Sequence, residues 1–302
     1  MTDNIADITR DLLIGRRLRL SAWDKVNMPM VRQWCEVMGN RNLRYARNNE
    51  IPVAMLHVWT MPGFDGAFPE GEAVDLLREA SRQFSKLGFT GVMAVRMQQQ
   101  YFRPLTLGEL LHREISIESV SPVKRTAVGE GVFVTELAAV FSQSERVGTT
   151  RLTLLCFQPK RGSEKEGEYQ AKPSSPPSNV LDLDTRFITS AAIATRDFEG
   201  VHIDPHAARA AGLKNIYLNI MTTLGLVQRF IEEGHGLNIV LSSIDLGLSA
   251  PGYPGDQIRF TSRWALPKQE VEFKMELRDG LHARGVAQVG PAASRRVLLV
   301  SR

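Results

Sequence analysis

The densest group of side chains able to perform acid–base chemistry lies between residues 195 and 206 of this 302-residue chain. The segment reads Thr-Arg-Asp-Phe-Glu-Gly-Val-His-Ile-Asp-Pro-His. Asp197 and His202 are five positions apart, which is more than one helical turn. A loop or a helix break, which Gly200 permits, must therefore bring them together. A carboxylate and an imidazole that converge on one water form a general acid–base pair that works near neutral pH.

The same segment has a simpler interpretation as a polar loop between two domains. Asp204 followed by Pro205 is a typical helix start, with Asp as the N-cap and Pro in the first turn. His206 would then lie on the surface of that helix. Spacing alone favours this interpretation over a catalytic site, so the acid–base hypothesis needs support from outside the segment.

Each half of the sequence contains a helix with clear apolar periodicity. Residues 28–38 carry apolar side chains at helical spacing, and Gly39 with Asn40 is a stop signal. Residues 219–234 form the longest such segment and end at Gly234. In both halves alternating segments predict strands, four of them after residue 234. The pattern predicts an α+β fold in which each half sets its long helix against an antiparallel sheet.

Two shorter elements are predicted around the polar segment. Residues 186–189 are rich in β-branched and aromatic side chains and predict a short strand. Ser190 is then the expected N-cap of a helix that follows.

A polar segment divides the chain. Residues 161–180 carry three prolines among charged and small side chains, with few residues to bury, which predicts a linker. The predicted domains are therefore residues 1–160 and 181–302, each large enough for its own core.

Composition excludes several classes of protein. Hydrophobic residues make up 43% and charged residues 23% of the chain, which is typical of a globular protein. A net charge of +4 does not indicate nucleic-acid binding, and no apolar run is long enough for a membrane helix. Two cysteines form neither a disulfide framework nor a metal-ligand pattern. The polar start is unlike a secretory signal, so we expect a cytoplasmic protein.

The segment that contains Asp197 and His202 resembles the active-site segment of the MaoC-like, or type-2, enoyl-CoA hydratases. The family pattern is Asp-x-Asn-Pro-aliphatic-His, followed by an Asp-Pro helix start. This sequence keeps the Asp, the aliphatic residue and the His, and it has Glu199 and Gly200 in place of Asn and Pro. A His-Gly-Met start of the central helix in the family corresponds here to 219–221, Asn-Ile-Met.

The resemblance implies a double hotdog, two hotdog domains packed as a pseudo-dimer, and the hydration of an enoyl-CoA thioester. Asp197 and His202 would hold the water, and the backbone N–H of Ile220 would stabilise the thioester oxyanion. Tyr217 and Asn219 would border the thioester, and Glu199 would be a third substrate-binding residue. Neither a metal nor a cofactor is implied, because CoA is part of the substrate.

A narrower resemblance concerns the substrate. The variant motif, and segments of the first half such as GFTGVMAV, resemble the two hotdog parts of the hydratases that act on steroid side-chain CoA thioesters. These parts are usually separate chains and would here be fused. The resemblance implies a bulky acyl-CoA substrate, with a homodimer and a downstream side-chain aldolase as the expected protein partners. No nucleic-acid or membrane partner is expected.

The first half lacks the catalytic pair. The family pattern places Asn40 where Asp is required and Tyr45 where His is required, and neither side chain is a base near neutral pH. Residues 51–63 are too short for a central helix, which predicts a cavity lined by Met and Trp side chains. The alternative is that the following residues fill this space. A non-catalytic acyl-CoA-binding or partner-docking protein and a thioesterase remain alternatives for function.

Overall fold

The elements are described from a computed structural model that covers residues 13–71, 73–159 and 179–290. The strands in these ranges are β1 Arg17–Ser21, β2 Gly91–Tyr101, β3 Leu111–Val120, β4 Lys124–Arg125, β5 Glu130–Ser142, β6 Glu145–Phe157, β7 Val180–Asp182, β8 Leu241–Leu248, β9 Gln257–Leu266, β10 Glu270–Leu277 and β11 Gly280–Val289. The helices are α1 Met28–Met38, α2 Leu43–Arg47, α3 Leu76–Lys86, α4 Thr185–Ala194, α5 Gly200–Ile203, α6 Pro205–Ala210 and α7 Ile220–His235. This confirms the predicted α+β class.

The strands join one antiparallel sheet in the order β1-β3-β5-β6-β2-β8-β11-β10-β9-β7, and β4 pairs with β5 beside this path. Strands that precede the predicted linker form one side of the sheet, and strands that follow it form the other. The two sides meet where β2 pairs with β8. At this seam the Arg96 guanidinium donates to both carboxylate oxygens of Asp245, at 3.0 and 2.6 Å.

The continuous sheet confirms the prediction that the two halves pack side by side through a sheet edge. The predicted domain bounds remain a prediction, because residues 160–178, most of the predicted linker, lie outside the described residues. Within the described ranges, no helix has both the length and the apolar character needed to cross a membrane.

Helix α7 is the central helix of the second half. Every residue from Ile220 to Gln228 is buried, as expected for a helix that is apolar on all sides. The sheet strands β8, β9 and β10 pack around it and contribute Ile244, Phe260 and Phe273 to the same core. The helix ends at His235 with Gly236 as its cap, two residues beyond the predicted stop at Gly234.

The helices of the first half pack against surfaces other than those predicted. Helix α1 has the predicted bounds and the Gly39 stop, with Gly39 left-handed at φ 66°. It packs against α4 and α7 of the second half, so the expectation that α1 lies on the sheet of its own half is wrong. Helix α3 covers that sheet instead and buries Leu76, Leu77, Ala80 and Phe84 against it.

Residues 186–189 form part of helix α4, and the predicted strand there is wrong. Asp184 is the N-cap of this helix, and its side chain accepts a hydrogen bond from the Phe187 N–H at 2.6 Å. The cap lies six residues before the Ser190 that was expected to start a helix. The aromatic and β-branched side chains of this short run follow the helix because an N-cap and tertiary packing outweigh local strand preference.

Residues 51–63 contain two short 3₁₀-helices, Val53–Leu56 and Val58–Thr60, in place of a central helix. The absence of a long helix agrees with the prediction, but the expected cavity lining does not. Met55 is 0% and Trp59 is 3% exposed, so these side chains are packed in the core. The first 3₁₀-helix packs against α7 and β2, whereas α3 buries its apolar side chains in a separate cluster of the core.

Gly225 sets the distance between α7 and α1. A Cβ atom at this position would lie 2.5 Å from the buried Trp34 ring, whereas a Cβ at Gly234 of the same helix would meet nothing closer than 3.9 Å. We expect Gly225→Ala to destabilise the protein by about 1–2 kcal/mol through overpacking. Gly234→Ala should stabilise it by about 0.5–1 kcal/mol through helix propensity. Urea unfolding of both variants tests the contact, and equal effects would contradict it.

Candidate active site

A tight turn after α4 places Asp197. The Thr195 hydroxyl donates to the carbonyl oxygen of Ala191 at 2.9 Å and so closes the end of the helix. Arg196 then adopts a left-handed backbone conformation with φ 56°, which is uncommon for a residue other than glycine. The Asp197 N–H returns to the carbonyl oxygen of Ala192 at 2.9 Å. The chain reverses here, so Asp197 faces the short helix α5.

Helix α5 brings His202 back to Asp197. The distance between His202 Nε2 and Asp197 Oδ2 is 3.5 Å, and both side chains are largely buried. His202 Nδ1 lies 2.8 Å from the carbonyl oxygen of Tyr217. A carbonyl oxygen can only accept, so Nδ1 carries the hydrogen and Nε2 of the neutral ring is an acceptor. Two acceptors that face each other require a shared proton or a water that donates to both.

Burial and local donors act on Asp197 in opposite directions. Burial raises the pKa of the Asp197 carboxyl above its usual value, and the nearby His202 opposes that shift. The nearby Glu199 N–H and the Asn219 side chain also favour the ionised form of the Asp197 carboxyl. The balance leaves a carboxyl that takes up a proton more readily than an exposed Asp.

The start of α7 adjoins the pair. Asn219 is the N-cap, and its Oδ1 accepts a hydrogen bond from the Thr222 N–H at 2.7 Å. Its Nδ2 donates to Thr195 Oγ1 at 2.8 Å and so ties the helix start to the Asp197 turn. The Ile220 N–H belongs to the first turn, where a helix supplies no acceptor, and none is found among the described residues. It is available to an oxygen of a ligand.

The remaining predicted site residues divide into two groups. Tyr217 packs its ring edge-on against His202, with ring centroids 4.6 Å apart, and is buried beside the pair. The Glu199 carboxylate instead forms an ion pair with Arg78 of α3, from the first half of the chain. Asp204 caps α6 as predicted, and His206 is exposed. No group of three or more potential metal ligands lies within the described ranges.

In the first half, Asn40 and Tyr45 surround the buried carboxylate of Glu232 from α7. Glu232 accepts hydrogen bonds from Asn40 Nδ2 at 3.2 Å, from the Tyr45 hydroxyl, and from Arg44 Nη2 at 2.8 Å. Gln228 Nε2 adds a further bond at 2.7 Å. Each of these groups directs at least one hydrogen bond to Glu232, so the cluster is a structural network that joins the two halves.

Sequence reasoning missed two of these partners. Glu232 gave only a weak signal, its spacing of four residues from Gln228 on one helix face. Arg78 gave none, because it lies 121 positions from Glu199 and no local pattern pairs two residues so far apart in the sequence.

Comparison with known proteins finds similar proteins both by sequence and by structure. No protein-family model matches the chain. The "Probable enoyl-CoA hydratase alpha subunit" of Thermomonospora curvata is 34% identical over 185 residues, which cover 53% of this chain and 58% of that protein. The 3-oxo-4,17-pregnadiene-20-carboxyl-CoA hydratase beta subunit of Mycobacterium tuberculosis is 45% identical over 85 residues, which cover 28% of this chain and 66% of that protein. The chain spans less than two thirds of either relative.

A crystal structure of a MaoC-like dehydratase from Phytophthora capsici has the same fold. It superimposes with a TM-score of 0.69 at 14% identity and covers 94% of this chain and 98% of that one. The agreement over nearly the whole chain confirms the double hotdog predicted from the sequence. The chain thus has a double-hotdog fold, and it is similar in sequence to an alpha subunit and to a beta subunit of hydratases.

Proposed function

We propose that the protein is an enoyl-CoA hydratase, a hydro-lyase that adds water across the α,β double bond of an acyl-CoA thioester. The observation that carries the proposal is the 3.5 Å contact between His202 Nε2 and Asp197 Oδ2. It places two proton-carrying groups face to face beside a helix start with an unused N–H. With one proton on the pair, a water that donates to the unprotonated group and accepts from the protonated one would be held in place for attack on the β-carbon.

The proton balance of the reaction suits a pair that carries one proton. One group accepts a proton from the attacking water as the oxygen bonds to the β-carbon. The other group donates its proton to the α-carbon, so the pair holds one proton before and after the reaction. The short separation between Nε2 and Oδ2 lets that proton return to its starting group, directly or through a water.

The thioester oxygen would be stabilised at the start of α7. Negative charge develops on this oxygen as the double bond is attacked, and a prearranged donor lowers the barrier. The Ile220 N–H is the proposed donor, assisted by the positive end of the 16-residue helix α7. Tyr217 and Asn219 flank this position and would border the thioester.

The proposed acyl group is bulky and of the steroid side-chain type. Its support is the similarity to the 45% identical relative, a beta subunit of a pregnadiene carboxyl-CoA hydratase. The packed Met55 and Trp59 do not add to this support, because they are buried rather than open to a ligand. The substrate class therefore rests on homology.

Mixing the protein with an enoyl-CoA tests the proposal. Hydration removes the ultraviolet absorbance of the conjugated enoyl thioester and releases no CoA thiol. Crotonyl-CoA and a steroid side-chain enoyl-CoA should both lose absorbance, the second faster. A preference for crotonyl-CoA would reject the bulky substrate and leave the hydratase standing. Release of free thiol would identify a thioesterase, and unchanged substrate would identify a binding protein.

The pH profile of hydration should reflect the raised pKa of Asp197. Burial disfavours the ionised form of Asp197. The acid limb of the kcat/KM profile should therefore lie at a higher pH than the usual Asp pKa of about 4. Activity falls as pH drops through this limb because the pair then holds a second proton and has no base left. A limb at or below the usual Asp value would contradict the buried environment.

A further inference from the structure

Two contacts from the first half hold the segment that carries Asp197. The Phe64 ring, in the loop before α3, lies 5.6 Å from the Phe198 ring between centroids. Arg78, in the first turn of α3, forms the ion pair with Glu199. Phe198 and Glu199 are the two residues directly after Asp197. The half without an Asp–His pair therefore contacts the active-site segment of the other half.

Arg78 is itself held firmly. Its helix begins at the N-cap Asp75, whose Oδ1 accepts a hydrogen bond from the Leu77 N–H at 2.9 Å. The second oxygen of Asp75 accepts from Arg113 of the sheet at 2.7 Å. The Arg78 guanidinium also lies against Gly66, where a Cβ atom would come within 1.6 Å of Nη1. The arginine thus occupies a position that the surrounding chain leaves free for it.

The ion pair does little for stability. The Arg78 side chain is 29% and the Glu199 side chain 57% exposed, and exposed pairs contribute roughly 0–1 kcal/mol. Its effect on the site is more direct, because Glu199 lies two residues after Asp197 and both its charge and its backbone N–H act on the Asp197 carboxyl. A change in the position of Glu199 moves a hydrogen-bond donor of the proposed base.

We infer that Arg78 is a positioning residue for Asp197 and acts through Glu199, so that the first half sets the geometry and charge of the site in the second. This inference rests on the proposed function for its kinetic consequences. Arg78 fixes the turn that Gly200 would otherwise leave free to move, and it neutralises the Glu199 carboxylate next to Asp197. The charged groups that act on Asp197 are His202 and Glu199, and Tyr217, whose pKa is raised by burial and by Asp197, stays neutral beside them.

The test compares Arg78→Met, Glu199→Gln and the double variant in the full chain. Arg78→Met should lower kcat about tenfold with KM nearly unchanged, because a displaced donor misaligns the base. It should also move the acid limb to higher pH, because Glu199 is left uncompensated. Glu199→Gln should move the limb to lower pH. In the double variant, loss of Arg78 should add little to the Glu199→Gln effect.

Arg82→Met is the matched control, since it removes an exposed arginine one turn further along α3. This variant should change neither kcat nor the pH of the acid limb. A higher KM for Arg78→Met with an unmoved limb would overturn the inference, because Arg78 would then bind substrate directly. Additive effects in the double variant would overturn it as well, because Arg78 would then act without Glu199.

A titration that needs no turnover separates this inference from the proposed function. Carbon-13 NMR of aspartate carboxyls in the full chain, with the signal assigned by Asp197→Asn, reports the Asp197 pKa directly. The Asp197 pKa is expected to rise in Arg78→Met and to fall in Glu199→Gln. If the wild-type protein hydrates no enoyl-CoA, the proposed function fails while these shifts still decide the role of Arg78. An Asp197 pKa that is the same in both variants as in the wild-type protein rejects the positioning role, even where hydration is observed.

Discussion

Asp197→Asn and His202→Ala are each expected to lower kcat/KM for hydration by about 10²–10⁴-fold. Asparagine accepts no proton near neutral pH, and alanine at 202 removes the Nε2 that faces Asp197 Oδ2 at 3.5 Å. The fold should survive, since neither residue belongs to the apolar core. Steady-state kinetics with an enoyl-CoA, alongside circular dichroism to verify folding, measures the loss.

Asn40→Ala and Tyr45→Phe are the matched controls in the first half. They stand at the positions that correspond to the pair in the family pattern, but their side chains bind Glu232. We expect hydration to change by only a few fold and stability to fall by about 1–3 kcal/mol, because a buried carboxylate loses a donor. A Tyr45→Phe loss of activity equal to that of His202→Ala would show that the first half takes part in the chemistry.

Glu232→Ala should destabilise the protein by about 3–5 kcal/mol, the largest expected effect on stability. The Glu232 side chain is 1% exposed and accepts from Arg44, Tyr45 and Gln228. Removing it leaves the Arg44 charge largely buried and takes an acceptor from Tyr45 and Gln228 as well. The free energy of unfolding from urea denaturation should show the loss.

Glu233→Ala is the control for the Glu232 network. Glu233 is the next residue of α7, and its ion pair with Arg229 is of the exposed i,i+4 type. We expect a change of no more than about 0.5 kcal/mol. If both alanine variants lost the same stability, the effect would come from helix propensity and not from the network that joins the halves.

The sequence predicts those parts of the fold that are fixed by local pattern. The bounds of α1 are reproduced residue for residue, because an Asn27 cap, an apolar stripe and Gly39 agree with one another. The four strands after α7 follow from alternation and turn residues. The strand predicted at 186–189 fails because the decisive signal, the Asp184 cap, lies outside the apolar run.

Local sequence pattern does not determine which helices and strands pack against each other. An amphipathic helix must cover some apolar surface, but its sequence does not name which one. Helix α1 therefore packs on the helices of the second half, and α3 covers the first-half sheet, where α1 was expected. The same reasoning explains why Met55 and Trp59 are packed in the core and do not line an open cavity.

The candidate site shows the same difference between residues that are close in the sequence and partners that are distant in it. Asp197, His202, Tyr217, Asn219 and Ile220 lie within 24 residues of one another, and the structure brings them together as the motif suggested. Glu199 was expected to bind substrate, and its carboxylate pairs with Arg78 instead. Charge pairs between distant segments depend on the sheet that joins the halves, and no spacing rule reveals them.

Hydration in water enriched with oxygen-18 tests the central claim most directly. The account predicts an intact CoA thioester whose acyl chain carries one heavy oxygen, at the β-carbon, formed by the wild-type protein and not by Asp197→Asn with His202→Ala. Mass spectrometry of the thioester and of its fragments locates the label. A heavy oxygen in the carboxylate of a free acid, with CoA released, would contradict the account.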